Sequence, residues 1–379
     1  MISFARTDTS LIGRWWWTVD RWTLLAVALL IAVGTLLTLA ASPAVAEKLR
    51  LDSQHFVLRQ AIFLPLAVAV MFVVSLMSPR GVRRISVVGL AISLVLVVAT
   101  LFLGAEIKGA SRWLQFAGFS LQPSEFVKPC FAVVAAWMLA EQGRREGVPG
   151  GLICCALFAL VVWLLVSQPD LGMTAVVSAV WFGQCFIAGL PMLWVGVLAG
   201  LGLLGAVAAY ATIPHVASRI NRFLDPASGD SYQIDRAMDA FGQGGLFGRG
   251  PGEGMVKRVL PDAHTDFIFS VAGEEFGLIA CLIIVALFGF ITLRGFARLL
   301  REEDLFVLLA AAGLLTQFGL QAVINIGVNV NLLPTKGMTL PFISYGGSSM
   351  LALALALGMV LALTRRRPNL GGRHERQSS

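Results

Sequence analysis

Asp266 stands in His264-Thr265-Asp266-Phe267-Ile268-Phe269, where a long polar segment enters an apolar run. A carboxyl at such a boundary is partly desolvated, and desolvation raises its pKa toward the working range of a general base. The bland reading is an N-cap for the helix that follows. Glu125 and Lys128, in Gln122-Pro123-Ser124-Glu125-Phe126-Val127-Lys128, are three residues apart and share a helix face. Two readings stay open for them. One is a self-neutralising pair at a helix start, capped by Ser124 with Glu125 at the positive end. The other is an acid and a cation set at the edge of an apolar run for function. Arg112 and Trp113 precede this helix; they are either an interfacial anchor or a cation aimed at a lipid head group. Asp170, in the tight turn Gln168-Pro169-Asp170-Leu171-Gly172, reads first as a helix cap and second as chemistry.

The stretch from Leu332 to Ser349 sets two prolines, Lys336 and a Gly-Gly pair into apolar sequence. Irregular backbone at membrane depth is tolerated only where protein buries it or it lines a cavity. This stretch is therefore expected to border the working cavity, with Lys336, Ser344, Gly346 and Gly347 as candidate substrate contacts. Gly346, Gly347, Ser348 and Ser349 also suit close helix packing. Gly242 to Gly254 is dense in glycine. With no preceding strand and no terminal Gly-Lys-Ser/Thr it is not a nucleotide loop. It fits flexibility, or backbone amides cradling an anion. Glu274 and Glu275 lie about two turns past Asp266 and need a partner or a wet cavity, which a buried structural pairing would supply. The five cysteines sit in apolar runs without CxxC spacing and read as small buried hydrophobes. Four scattered histidines form no visible metal cluster.

A membrane fold must position these groups. The 379 residues are 57% hydrophobic and 13% charged, with mean hydropathy +0.80, whereas soluble domains carry about 25% charged residues. That composition excludes a soluble enzyme, a disordered chain and a disulfide scaffold. Continuous apolar runs exclude a membrane β-barrel, whose strands alternate in polarity. At roughly 20 apolar residues per span, the expected fold is all-α and polytopic. Its ten transmembrane helices cover 22–41, 57–77, 82–104, 124–141, 150–167, 171–188, 191–212, 267–294, 303–328 and 342–364. The first run is long enough to span and is not read as a cleavable signal peptide.

An even number of spans puts both termini on one side. Arg80, Arg83, Arg84, Arg144, Arg145, Arg294, Arg298 and Arg301 crowd the short loops of that side, with Arg6, Arg14 and Arg21 before the first span. The positive-inside rule then makes both termini cytoplasmic. The organisation is a cytoplasmic segment 1–21, a membrane domain 22–364 and a basic tail 365–379. Loop 213–266 lies on the outer side; a loop of that length without clear secondary structure is functional or disordered. Trp15, Trp16, Trp17 and Trp22 fit an interfacial anchor. No internal repeat marks an inverted-repeat transporter.

Trp113 through Lys128, Gln168 through Gly172, the glycine-rich segment leading to Phe269, and Pro334 through Ser349 together resemble the SEDS family (shape, elongation, division and sporulation proteins). The resemblance covers essentially the whole chain. Pro334-Thr335-Lys336-Gly337 is more similar to the division branch, since the elongation branch tends to lack the lysine. Met173 in place of a frequent threonine and Cys130 in place of a small aliphatic are mild departures. The resemblance implies a peptidoglycan glycosyltransferase that polymerises lipid II at the outer face of the cytoplasmic membrane, at the division septum. It implies a class B penicillin-binding protein as cross-linking partner, with other divisome membrane proteins, membrane lipid and no nucleic acid. It also implies that Asp266 matches the family's catalytic aspartate, and that Lys128, Glu125 and Asp170 match positions its members depend on.

A sugar on a lipid pyrophosphate already has a good leaving group, so the carboxylate pair of a glycosidase is unnecessary. One base must take the acceptor hydroxyl proton, and cations must receive the developing phosphate charge. Asp266 is the expected base. Lys128 and Arg112, with Lys336 or Arg219, are the expected clamp. An α-linked donor that becomes a β-1,4 bond implies inversion. No tightly bound cofactor is expected; Mg²⁺ or another divalent cation would accompany the pyrophosphate. The rival from another class is a lipid II flippase, which would use the same wet cavity and helix breaks. A membrane scaffold would need neither Lys128 nor Asp266 at a boundary.

Overall fold

In lipid every backbone N–H and C=O must bond within its own segment, so long apolar sequence folds as helix. The computed structural model describes residues 10–365 except 49, 51, 53, 108–109, 117–118, 143–148 and 226–231. Arg6, Arg144, Arg145 and the basic tail beyond Arg365 lie outside the described residues. A short helix α1 (Leu11–Thr18), capped by Ser10, leads into α2 (Arg21–Lys48), α3 (His55–Ser75) and α4 (Pro79–Leu103). Strands β1 (Ala105–Ile107), β2 (Ala110–Phe116) and β3 (Phe119–Leu121) follow. Then come α5 (Pro123–Gln142), α6 (Gly150–Ser167), α7 (Leu171–Ile187) and α8 (Met192–Thr212). Next are α9 (Pro214–Leu224), α10 (Tyr232–Gly244) and a 3₁₀ turn at Val256–Arg258. Helices α11 (Ile268–Leu299), α12 (Leu305–Asn329) and α13 (Gly347–Leu363) complete the chain. Among the described residues, α2, α3, α4, α6, α8, α11 and α12 are long and apolar enough to cross a membrane, while α7 and α13 are shorter apolar helices.

The all-α expectation misses the antiparallel meander β1-β2-β3 between α4 and α5. Ser111-Arg112-Trp113-Leu114-Gln115-Phe116 is too short and too polar to register as an apolar run, and its polar and apolar residues do not alternate strictly, so little strand signal is present there. Loop 213–266 is likewise not structureless. Helix α10 buries Ala237, Ala240 and Gly244, an i, i+3, i+7 stripe, and low overall hydrophobicity hid it. Cys155 is exposed, unlike the other four cysteines, because its helix face turns outward. The centre of the fold is α5, α12 and α13. Helix α5 lies against α4 and α12, and α13 against α3. At the periphery, α8 buries none of its residues.

Helix α11 breaks at Gly277, where φ is 77° and ψ −178°. In an unbroken helix Leu278 and Ile279 would donate to the carbonyls four residues back. They donate instead to Gly245 O (2.9 Å) and Leu246 O (3.3 Å). The freed carbonyls of Glu274 and Glu275 accept from Arg249 N and Gly250 N, both at 3.0 Å. The glycine-rich segment thus completes the ladder that the break opens. The approach demands glycine: a Cβ on Gly277 would meet Gly248 N at 2.4 Å.

The same segment cradles an anion with its amides, and the anion is the chain's own. Glu274 accepts from Met255 N (2.6 Å), Val256 N (2.7 Å) and Lys257 N (3.1 Å). Glu275 pairs with the Lys257 ammonium, which also donates to Ala40 O at 3.0 Å and so ties the segment to α2. At the far end of α11, Asp20 accepts two bonds from Arg294 (2.6 and 2.9 Å) and lies 3.1 Å from Arg298. Arg298 donates to Thr364 O at 3.0 Å. The start of α2 and the ends of α11 and α13 therefore meet in one clasp.

Candidate active site

The opposite end of α11 carries Asp266. Phe267 occupies the N-cap position of α11 without a side-chain cap bond, so Asp266 is not the cap. The Asp266 carbonyl accepts from Asn325 Nδ2 (3.0 Å) and Asn329 Nδ2 (2.8 Å) on α12. Its half-buried side chain faces Gly337, where a Cβ would lie 3.3 Å from Asp266 Oδ2. Gly337 has φ 62°, a left-handed conformation that favours glycine.

Lys336, the residue before Gly337, lies over the start of α7, with its Cδ 3.6 Å from where a Gly172 Cβ would be. Asp170 caps α7 by accepting from Met173 N at 3.2 Å. It also lies 3.7 Å from the Arg112 guanidinium, so it is both cap and ion-pair partner. Arg112 further donates to Gln168 O (3.1 Å) and Pro169 O. Arg219 on α9 completes the cluster. Partial burial and the neighbouring charges of Arg112 and Arg222 hold its pKa below the ordinary guanidinium value, while Asp170 and Asp266 pull the other way. Burial, reinforced by Arg219 and opposed by Asp170, likewise lowers the Lys336 ammonium. Arg112, Arg219 and Lys336 thus share one electrostatic neighbourhood with Asp170 and Asp266. Cations crowded in this way gain by receiving an anion.

Lys128 stands on α5, which begins with Pro123; Ser124 lies inside the helix and does not cap it. The Lys128 ammonium is 2.8 Å from Glu125 and donates to Gln321 Oε1 at 3.0 Å. The pairing is therefore present, and the lysine is also bound to α12. Trp113 is adjacent to Arg112 on β2, so strand alternation directs it to the other face. Ser344 fastens backbone to backbone, donating to Thr265 O (2.5 Å) and accepting from Leu340 N (2.8 Å). Gly347 gives way to the Phe63 ring, which a Cβ would meet at 2.7 Å, and Gly346 precedes α13. These residues shape the wall and offer the cluster no charge. His264 packs between Phe56 and Tyr345, with ring centroids at 4.5 and 5.5 Å. Burial pushes its pKa down to about 4, so it is neutral at neutral pH. Among the described residues no three His, Cys, Asp or Glu gather to hold a metal ion.

Sequence reasoning passed over Gln321, Asn325 and Asn329. The signal was available: Gln317, Gln321, Asn325 and Asn329 recur every four residues through an apolar helix.

The family model of the FtsW, RodA and SpoVE proteins, described as cell cycle proteins, matches residues 21–369. The chain belongs to this family. It is the SEDS family to which the motifs pointed. A Caulobacter vibrioides protein named probable peptidoglycan glycosyltransferase FtsW is 49% identical over 371 residues, covering 98% of this chain and 95% of the relative. A protein of the same name from Trichlorobacter lovleyi is 36% identical over 352 residues, 90% and 92% of the two chains. Among solved structures, a chain from a study of how a peptidoglycan synthase complex coordinates polymerization and crosslinking aligns with TM-score 0.73 and 29% identity. The alignment covers 91% of this chain and 97% of that one. The rod shape determining protein RodA of Thermus thermophilus aligns with TM-score 0.68 and 30% identity, over 92% and 97% of the two chains. SEDS membership and multiple apolar helices make the chain a multi-pass membrane protein.

Proposed function

We propose that the chain is a peptidoglycan glycosyltransferase that polymerises lipid II into β-1,4 glycan strands during septal wall synthesis. The names of its relatives support the activity. The observation that carries the chemistry is Asp266, a half-buried carboxylate set beside Gly337 in the field of Arg219. Asp266 takes the proton from the acceptor hydroxyl as that oxygen attacks the anomeric carbon. The bond to the diphosphate breaks on the opposite face, with inversion. Arg112, Arg219, Lys336 and Lys128 receive the charge that builds on the leaving diphosphate. The acidic side chains near these cations are Asp170, Asp266 and Glu125, the last paired with Lys128; they do not gather into a three-ligand group among the described residues, so Mg²⁺ would enter with the substrate.

In this reading α5, α7 and α13 span the membrane together with the seven long apolar helices, ten spans in all, and both termini are cytoplasmic. The Asp20 clasp supports that topology because it gathers the start of α2 and the ends of α11 and α13 at one end of the bundle. Residues 22–364 form the membrane domain, and a class B penicillin-binding protein of the divisome is the partner. The peptidoglycan synthase complex among the structural neighbours supports such a pairing.

The test is glycan synthesis from lipid II in detergent by the purified chain with its partner. The unmodified protein is expected to make long strands. Asp266→Asn is expected to lose at least about 100-fold in rate, at the lower range of a general base's contribution. Near-normal synthesis by Asp266→Asn removes the base. Lipid II translocation across vesicles by a protein that makes no glycan in detergent favours the flippase instead.

A further inference from the structure

Lys128 and Asp266 lie on different elements, yet the chemistry proposed above needs them in a fixed relation. Gln321, Asn325 and Asn329 sit four residues apart on one face of α12, each at most 2% exposed. Amides so deep in an apolar helix are costly unless satisfied, and these are satisfied by the elements that carry the site. Gln321 accepts from Lys128 Nζ at 3.0 Å and donates to Thr339 O at 3.1 Å. Asn325 donates to Met338 O at 2.5 Å and to Asp266 O at 3.0 Å. Asn329 donates to Asp266 O at 2.8 Å and accepts from Ser270 N (3.1 Å) and Ser270 Oγ (2.8 Å).

We infer that this amide ladder is the positioning device of the active site: Gln321 sets the Lys128 ammonium, and Asn325 and Asn329 set Asp266 against it. The inference rests on the proposed glycosyltransferase reading. A third observation separates the ladder from ordinary packing. Gln317, one turn earlier on the same face, is equally buried, but its side-chain oxygen meets no partner.

The test uses the purified chain with its partner and lipid II. Gln321→Ala is expected to raise the KM for lipid II about tenfold with little change in kcat, because it loosens a group that holds the donor. In a Lys128→Ala background the same change adds less than about twofold, since both act through one ammonium. Asn329→Ala is expected to lower kcat about 30- to 100-fold with little change in KM, the scale of a misplacement near 1 Å, in protein that stays folded at the assay temperature. Asn329→Asp keeps the shape and the acceptor for Ser270 but loses the N–H donor; it shows the same loss and serves if Asn329→Ala does not fold. Gln317→Leu retains full activity. Effects of Gln321→Ala and Lys128→Ala that multiply, or Asn329 variants within about twofold of the unmodified rate, overturn the inference. An unmodified protein that makes no glycan strikes the proposed activity instead.

Discussion

At the scale of single residues, the site separates a proton acceptor from charge receivers. Lys128 is 3% exposed and balanced by Glu125, so its removal leaves a buried carboxylate without its counter-charge. Lys128→Ala is therefore expected to weaken lipid II binding by about tenfold or more, as loss of one charge-assisted contact does; direct titration of donor affinity checks it. Unchanged affinity removes Lys128 from the clamp. His264 gives a pH dependence of known sign. Its folded pKa, pushed down to about 4 by burial, lies below the ordinary value of 6.5. Between those values the unfolded chain binds the extra proton, so acid favours unfolding. Thermal stability of the detergent-solubilised protein should fall as pH drops from 6.5 toward 4, and His264→Phe should flatten that decline.

At the scale of elements, the broken helix α11 explains why so many glycines gather before it. Two of these glycines cross α11 backbone against backbone: a Cβ would meet Gly273 O at 1.9 Å from Gly244 and Glu275 O at 2.2 Å from Gly248. Gly277→Ala combines such a clash with a φ of 77° and is expected to cost about 3 kcal/mol or more. A sharply lowered Tm or failure to accumulate in the membrane checks it. Gly289→Ala on the same helix, with nothing within 4 Å, should be harmless. A Gly277→Ala protein as stable as the unmodified one would mean that α11 can run straight.

At the scale of the whole molecule, the two ends of the bundle are held by different chemistry. One end is the Asp20 clasp. Burial alone would raise the Asp20 pKa, but the bonds from Arg294 and Thr23 and the charge of Arg298 outweigh it and hold the value below the ordinary range. The clasp therefore contributes fully above the unfolded carboxylate pKa of about 4 and is lost as pH falls through the depressed folded value. The other end holds the charged cluster and the amide ladder. If both termini are cytoplasmic, a cysteine placed at Phe247, which is 78% exposed, should react with an impermeant thiol reagent in whole cells. One placed at Ser10 should react only after lysis. The reverse pattern would invert the proposed topology.

The seven long apolar helices, with the shorter α7 and α13, were legible in order and approximate extent, because lipid solvation acts on composition alone and needs no knowledge of neighbours. The boundary charges Asp266, Lys128 and Asp170 were legible for the same reason: an ionised group beside apolar sequence is costly wherever the chain goes. Only the tertiary structure decided what faces each of them. Glu274 could be read as needing a partner, but not that the partner would be the amides of residues 255–257. Arg219 could be named from sequence only as an alternative to Lys336, whereas the structure puts both in the field of Asp170. Sequence spacing reports neighbours along one helix. The distance between α5, α12 and the turn at Asp266 is set by how side chains interlock in three dimensions, which a linear pattern does not encode.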